Sequence, residues 1–147
     1  MRFMGLDLGE KRIGVALSDP LGWTAQGLQV IPVSGSLENS IASIQTIVRQ
    51  YEVERIIVGM PRNMDGSLSP LAKKAKQFAG LLSKRLGLPV EMYDERLTTL
   101  AAERVLLEAD LSRSRRRKVV DKVAAVLILQ GYLDALASKD KKEERFE

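Results

Sequence analysis

Apolar and polar positions along this chain fall into short runs with two different periods. Residues 2–9 and 12–18 are dense in apolar side chains and are separated by Gly9, Glu10 and Lys11, so they read as two strands joined by a tight turn. A third strand is expected over 25–33, entered through the turn at Asp19, Pro20, Leu21 and Gly22. Connections this short make the three strands an antiparallel meander. The period then lengthens. Leu37, Ile41, Ile44, Val48 and Tyr51 recur at three- and four-residue steps behind Ser36, which can cap a helix. The run 55-RIIVGM-60 is short, β-branched and nearly all apolar, as a central parallel strand should be. Ser69 and Pro70 supply a cap and a first-turn proline for a helix to about residue 86, stopped by Gly87 and Pro89. A fifth strand follows in 89-PVEMYDE-95, Thr98 or Thr99 can cap a helix to about 109, and one strong helix is expected over 119–137.

The predicted order is βββ-α-β-α-β-α-α. It implies an α/β domain with a mixed five-stranded sheet, three antiparallel strands followed by two parallel ones, and helices on both faces. That order matches the RNase H-like fold, although a fold alone decides no function. One domain is expected over 1–138. The charged stretch 139–147 is expected to be a disordered tail.

Composition narrows the chemistry. The chain has 147 residues, no cysteine and no histidine. Disulfides, thiolate metal sites, imidazole acid–base catalysis and serine–histidine triads are therefore excluded. Catalysis must use carboxylates, hydroxyls, Lys or Arg, with any metal held by oxygen. No segment is apolar enough to span a membrane and the N-terminus carries no signal-peptide pattern, so a cytoplasmic setting is expected. Net charge is only +4, but 113-RSRRRK-118 concentrates five cations in six residues. In most proteins such a run is a solvated loop. Here it leads into the last predicted helix. Aromatic residues are few, which favours recognition of a nucleic-acid backbone over stacking on bases. Trp23, in a Gly- and Pro-containing turn, is the exception to weigh, and a packing role is the expectation for it.

Three acidic positions stand out. Asp7 lies among Phe3, Met4, Leu6 and Leu8, where burial of an unpartnered carboxylate is expensive. The second site is 94-DE-95, at the end of the fifth strand. The third is Asp121, which on a helix shares a face with Ala124, Ala125 and Ile128. Inward carboxylates repel each other and lose solvation unless something compensates them. Mg²⁺ or Mn²⁺ does so, and two such ions roughly 3.5–4 Å apart can activate a water and stabilise the leaving oxygen in phosphodiester cleavage. Each position also has an ordinary reading. Asp7 can bond turn amides or Lys11, the acidic pair can be a solvated strand end capping the next helix, and Asp121 can pair with a neighbouring arginine.

With these residues in place, 5-GLDLGEKRIGVALSD-19, 58-VGMPRNMDGS-67, 94-DERLTT-99 and 121-DKVAAVLILQGYL-133 resemble the YqgF/RuvX family, known as pre-16S rRNA nucleases or Holliday junction resolvases. The resemblance runs from residue 1 to about residue 137. It implies an RNase H-like nuclease with a three-carboxylate, divalent-metal site that trims the 5′ end of the small-subunit rRNA precursor. By motif, Asp7 is the first-strand ligand and Asp121 the final-helix ligand. Glu95 is the preferred middle ligand with Asp94 as the alternative, since adjacent strand residues face opposite ways and the register is not fixed by sequence.

Nucleic-acid contacts are expected from Lys11 and Arg12 at the hairpin tip and from Arg62, Asn63 and Ser67 in the loop before the second helix. Arg96, Arg113, Arg115, Arg116, Arg117 and Lys118 complete the set. Precursor rRNA is the expected partner. Ribosomal or assembly-factor partners and the choice between monomer and homodimer stay open.

Three other functions compete. A junction resolvase would apply the same chemistry to DNA and would want a symmetric dimer. The stretch 7-DLGEKRIGVAL-17 also resembles the first phosphate loop of actin-like ATPases and sugar kinases, but those need a duplicated domain that 147 residues do not provide. The third is an RNA-binding assembly factor with little catalysis, against which the three intact acids argue.

Overall fold

In the computed structural model of the chain, strand β1 (Phe3–Leu8) is buried along its whole length because both of its faces are covered. The structure describes residues 1–33, 36–60, 69–95 and 113–146, with side chains of the last helix described over 122–139. β1 pairs antiparallel with β2 (Arg12–Ser18), and β2 with β3 (Ala25–Pro32). On its other side β1 pairs parallel with β4 (Arg55–Met60), and β4 with β5 (Val90–Asp94). The resulting order, β3-β2-β1-β4-β5, is the mixed five-stranded sheet expected from sequence. β1 and β4 are therefore central, which is why both read as continuous apolar runs.

Helices α1 (Leu37–Tyr51) and α2 (Pro70–Leu86) cover one face. There Met4, Leu6 and Leu8 meet Ile44 of α1 and Phe78 and Leu82 of α2. The start of α2 matches its sequence signature: Ser69 is the N-cap, its hydroxyl accepts from the Ala72 amide at 3.1 Å, and Pro70 follows. Gly87 ends the helix at φ 66°. Ser36 stands at the N-cap of α1 with an extended backbone but makes no side-chain cap. The expected stripe of α1 is also rotated, because Ile47 is buried and Leu37 is exposed.

One long helix, α3 (Arg113–Phe146), covers the other face. It corrects the expected 119–137 at both ends. The basic run 113–118 forms its first turns instead of a loop, and 139–146 continues the helix instead of a disordered tail. Both extensions consist largely of Lys, Arg and Glu without Gly or Pro, and these are good helix formers. The helix expected to about 109 lies outside the described residues.

The contact between α3 and the sheet is unusually close. A Cβ added at Gly5 would lie 2.7 Å from Leu129 Cβ and 3.0 Å from the Ala125 carbonyl oxygen. Ala124, Ala125, Ile128 and Leu129 are all fully buried there. Lys122 and Val126 lie against Gly27 of β3, and Tyr132 packs on Phe3. Later residues of α3 thus meet earlier residues of β1, so the two run antiparallel. A polar latch holds the far end: Arg55 donates to the Tyr132 hydroxyl at 3.2 Å and pairs with Glu91 at 3.2 Å. Burial pushes the Tyr132 phenol above its usual range, while Arg55 pulls it the other way.

The β2–β3 turn carries its own anchor. Asp19 Oδ1 accepts from the amides of Trp23 and Thr24 at 2.7 and 2.9 Å, and these bonds, with Thr24 the largest influence, hold its carboxyl below the ordinary range. The stabilisation is therefore present above the unfolded value near 3.8 and is lost as pH falls through the lower folded value.

Two outcomes follow from the packing and the turn. Gly5→Ala should destabilise by about 1–3 kcal/mol through overpacking, whereas Gly80→Ala, on an open helix surface, should stabilise by about 0.5–1 kcal/mol, both read by urea denaturation. Asp19→Ala should flatten the loss of stability on acidification below about pH 4, seen in denaturation midpoints across pH; an unchanged slope would disprove the anchoring role.

Candidate active site

Side-chain alternation along the strands sorts the acidic residues. In β1 the odd positions Phe3, Gly5 and Asp7 face α3, and Met4, Leu6 and Leu8 face α1 and α2. The register pairs Ile57 of β4 with Glu91 and Gly59 with Tyr93, and Tyr93 packs with the α3 cluster. Val90 and Met92 pack with the opposite cluster. Asp94 continues the parity of Val90 and Met92. Glu95 continues that of Tyr93, and its Oε1 lies 2.9 Å from where a Gly59 Cβ would stand. Glu95 is therefore on the face that Asp7 occupies, and Asp94 is directed to the other.

Asp7 is 5% exposed and sits between two glycines. Gly14 is its antiparallel partner on β2. On β4 the parallel register reaches Leu6 with Val58, so Gly59 stands beside Asp7, about 4.8 Å away across the strands. Neither of these strand neighbours carries a side chain, and the space over Gly59 is taken by Ile128 and Glu95. These glycines are positioning residues that the reading of acidic motifs overlooked. Their signal was present in the sequence, because glycine inside a strand marks close approach of other groups.

The third acid is placed by helix arithmetic. Ala125 lies over Gly5. One turn earlier, α3 has moved back about 6 Å, while two residues along β1 cover about 6.6 Å toward Asp7. The backbone at Asp121 thus stands above the level of Asp7, and its side chain lies outside the described ones. Among the described residues, no group of three or more acidic, His or Cys side chains is gathered that could hold a metal ion. The described acids supply carboxylate oxygen only, and all of it from the α3 face. That donor set fits a hard divalent cation and offers nothing to a soft one.

The remaining expected contacts divide clearly. Lys11 is exposed and Arg12 half-buried at the hairpin beside the carboxylate end of β1, where the Gly9 amide donates to the Arg12 carbonyl at 2.8 Å. Arg62, Asn63, Ser67 and Arg96 lie outside the described residues. Arg113, Arg115, Arg116, Arg117 and Lys118 fall on the first turns of α3, the end of that helix nearest Asp7. Trp23 departs from its expected packing role: it is 73% exposed.

Sheet order and a helix laid across one face define an RNase H-like architecture. The chain belongs to the family described as "RuvX: Holliday junction resolvase", whose model matches residues 1–135. A "Putative pre-16S rRNA nuclease" of Pelotomaculum thermopropionicum is 64% identical over 135 residues, covering 92% of this chain and 88% of that one. A protein of the same description from Moorella thermoacetica is 62% identical, covering 92% and 96%. Among solved structures, Thermus thermophilus RuvC in complex with a Holliday junction substrate superposes with a TM-score of 0.59 at 17% identity over 92% of this chain and 96% of that chain. The fowlpox virus Holliday junction resolvase gives 0.52 at 17% identity over 92% and 99%. These two likenesses concern the fold.

Gly59→Ala tests the geometry directly. Its methyl would overlap Ile128 and crowd Glu95 Oε1, so nucleolytic activity should fall at least about tenfold. Activity unchanged at a temperature where the variant is folded would show that the Glu95 position is not critical.

Proposed function

We propose that this protein is a divalent-metal-dependent endonuclease that processes the 5′ end of precursor 16S rRNA during ribosome biogenesis in the cytoplasm. The observation that carries the reading is the convergence of Asp7 and Glu95 on one glycine-lined face beneath α3. In this reading Asp7, Glu95 and Asp121 hold Mg²⁺ or Mn²⁺, in a one- or two-ion arrangement. When bound, the cation supplies charge neutralisation and Lewis acidity for in-line phosphodiester hydrolysis. The missing side chain of Gly59 leaves its space to Ile128 and Glu95, so that the glutamate can come to the face of Asp7. Lys11 and Arg12 on one side, and the cations of 113–118 on the other, hold the nucleic-acid backbone across the gap. Attack of water at phosphorus with loss of the O3′ oxygen leaves a 5′-phosphate and a 3′-hydroxyl.

RNA is preferred to DNA because the relatives at 62–64% identity carry an rRNA-nuclease description, whereas the junction-bound structure is 17% identical. Cleavage of a four-way DNA junction is the second reading, favoured by the description of the family.

Purified protein incubated with precursor 16S RNA and with a four-way junction, in Mg²⁺, Mn²⁺ or EDTA, separates these cases. Asp7→Asn, Glu95→Gln and Asp121→Asn should each lower metal-dependent RNA cutting by at least about a hundredfold, and Asp94→Asn by no more than a few-fold. Cutting of the junction alone would move the protein to DNA. Binding of RNA without any cutting would make it an assembly factor, and undiminished cutting by Asp7→Asn would sink the site.

A further inference from the structure

The exposed indole of Trp23 is held more firmly than a surface turn requires. Asp19 alone could close the turn through the Trp23 and Thr24 amides. Six further contacts are present. Gly22, at φ 75°, lies so close to Phe3 that an added Cβ would stand 2.8 Å from its ring. The N-terminal ammonium donates to the Pro20 carbonyl at 2.8 Å. Ser18 Oγ accepts from the Phe3 amide and donates to the Asp19 carbonyl, both at 2.8 Å. Gln130 of α3 donates to the Trp23 carbonyl at 3.1 Å and accepts from the Ala25 amide at 2.9 Å. The backbone is braced against β1 and α3, while Leu21 and Trp23 project at 69% and 73% exposure. A rigid support under an open aromatic surface fits a stacking platform.

Its size and position suggest what stacks there. One indole and a neighbouring Leu present far less than the roughly 800 Å² per partner of a stable protein interface, but they match one base or two. Gln130 ties the turn to the helix that carries Asp121, nine residues earlier, which is about 14 Å along the axis. That distance corresponds to about four stacked nucleotides at 3.4 Å each. Trp23 is also on the α3 side of the sheet, as are Asp7 and Glu95, though at the opposite end of the strands. Resting on the nuclease reading above, we propose that Trp23, seconded by Leu21, stacks an unpaired nucleobase about four nucleotides from the scissile phosphate. The enzyme would then select duplex ends or junctions that carry a single-stranded extension.

Trp23 is the only tryptophan of the chain, so its emission reports on the platform without labelling. The experiment uses Asp7→Asn protein with Mg²⁺, to prevent cutting. Its probes are an RNA duplex with a short single-stranded extension, the same duplex blunt, and a DNA counterpart with the extension. Binding is followed by anisotropy of the nucleic acid and by tryptophan fluorescence. Quenching by the extended duplex and not by the blunt one is expected. Trp23→Ala should weaken extended-duplex binding by roughly five- to a hundredfold, with Trp23→Phe retaining most of the affinity. The RNA and DNA arms show which strand chemistry supplies the base. Binding without quenching, or with equal affinity in Trp23→Ala, would overturn the platform, leave the indole to a protein contact, and spare the nuclease reading. Failure of every duplex to bind would overturn both.

Discussion

The close approach of α3 to the centre of the sheet is the contact on which the rest depends. Helices and sheets ordinarily stand apart by the thickness of two layers of side chains. Here Gly5 and Gly59 provide no layer on the sheet side, and Ala124 and Ala125 a thin one on the helix side. The helix therefore sinks toward the strands and carries Asp121 into the neighbourhood of Asp7. Dispersion and apolar burial along Ile128, Leu129 and Leu133 hold it there. The latch of Arg55, Tyr132 and Glu91 fixes its axial position at the opposite end. A slide of one residue along the axis would shift the backbone of Asp121 by about 1.5 Å relative to β1.

The same thinness explains the electrostatics. Asp7 is buried, where a charge is costly unless it is partnered. Its strand neighbours are Gly14 and Gly59, and the space over Gly59 admits Ile128 and Glu95 Oε1.

Much of this was legible in the sequence, and the failures have physical causes. β2 and β4 were found at their full lengths because turn residues or a change of period bound them on both sides. The antiparallel and parallel pairings followed from connection length. The ends of α3 were missed because clustered charge was taken as a sign of solvated loop, although Lys, Arg and Glu are also good helix formers. Glu95 and Asp94 could not be separated without the pairing of β5 to β4, since a shift of one residue exchanges their faces. Gly59 read as an ordinary member of an apolar run until the helix above it was seen. Trp23 was assigned to packing on the general tendency of large aromatics to be buried, and a turn braced from below defeats that tendency.

Gly59 also bears on how such a protein can change over generations. Its missing side chain is a space shared by Ile128 and Glu95, one residue of the core and one of the site. A larger residue there would require Ile128 and the Glu95 carboxylate to shift together. Packing of the core and placement of the glutamate are thus coupled through one small space between strand and helix.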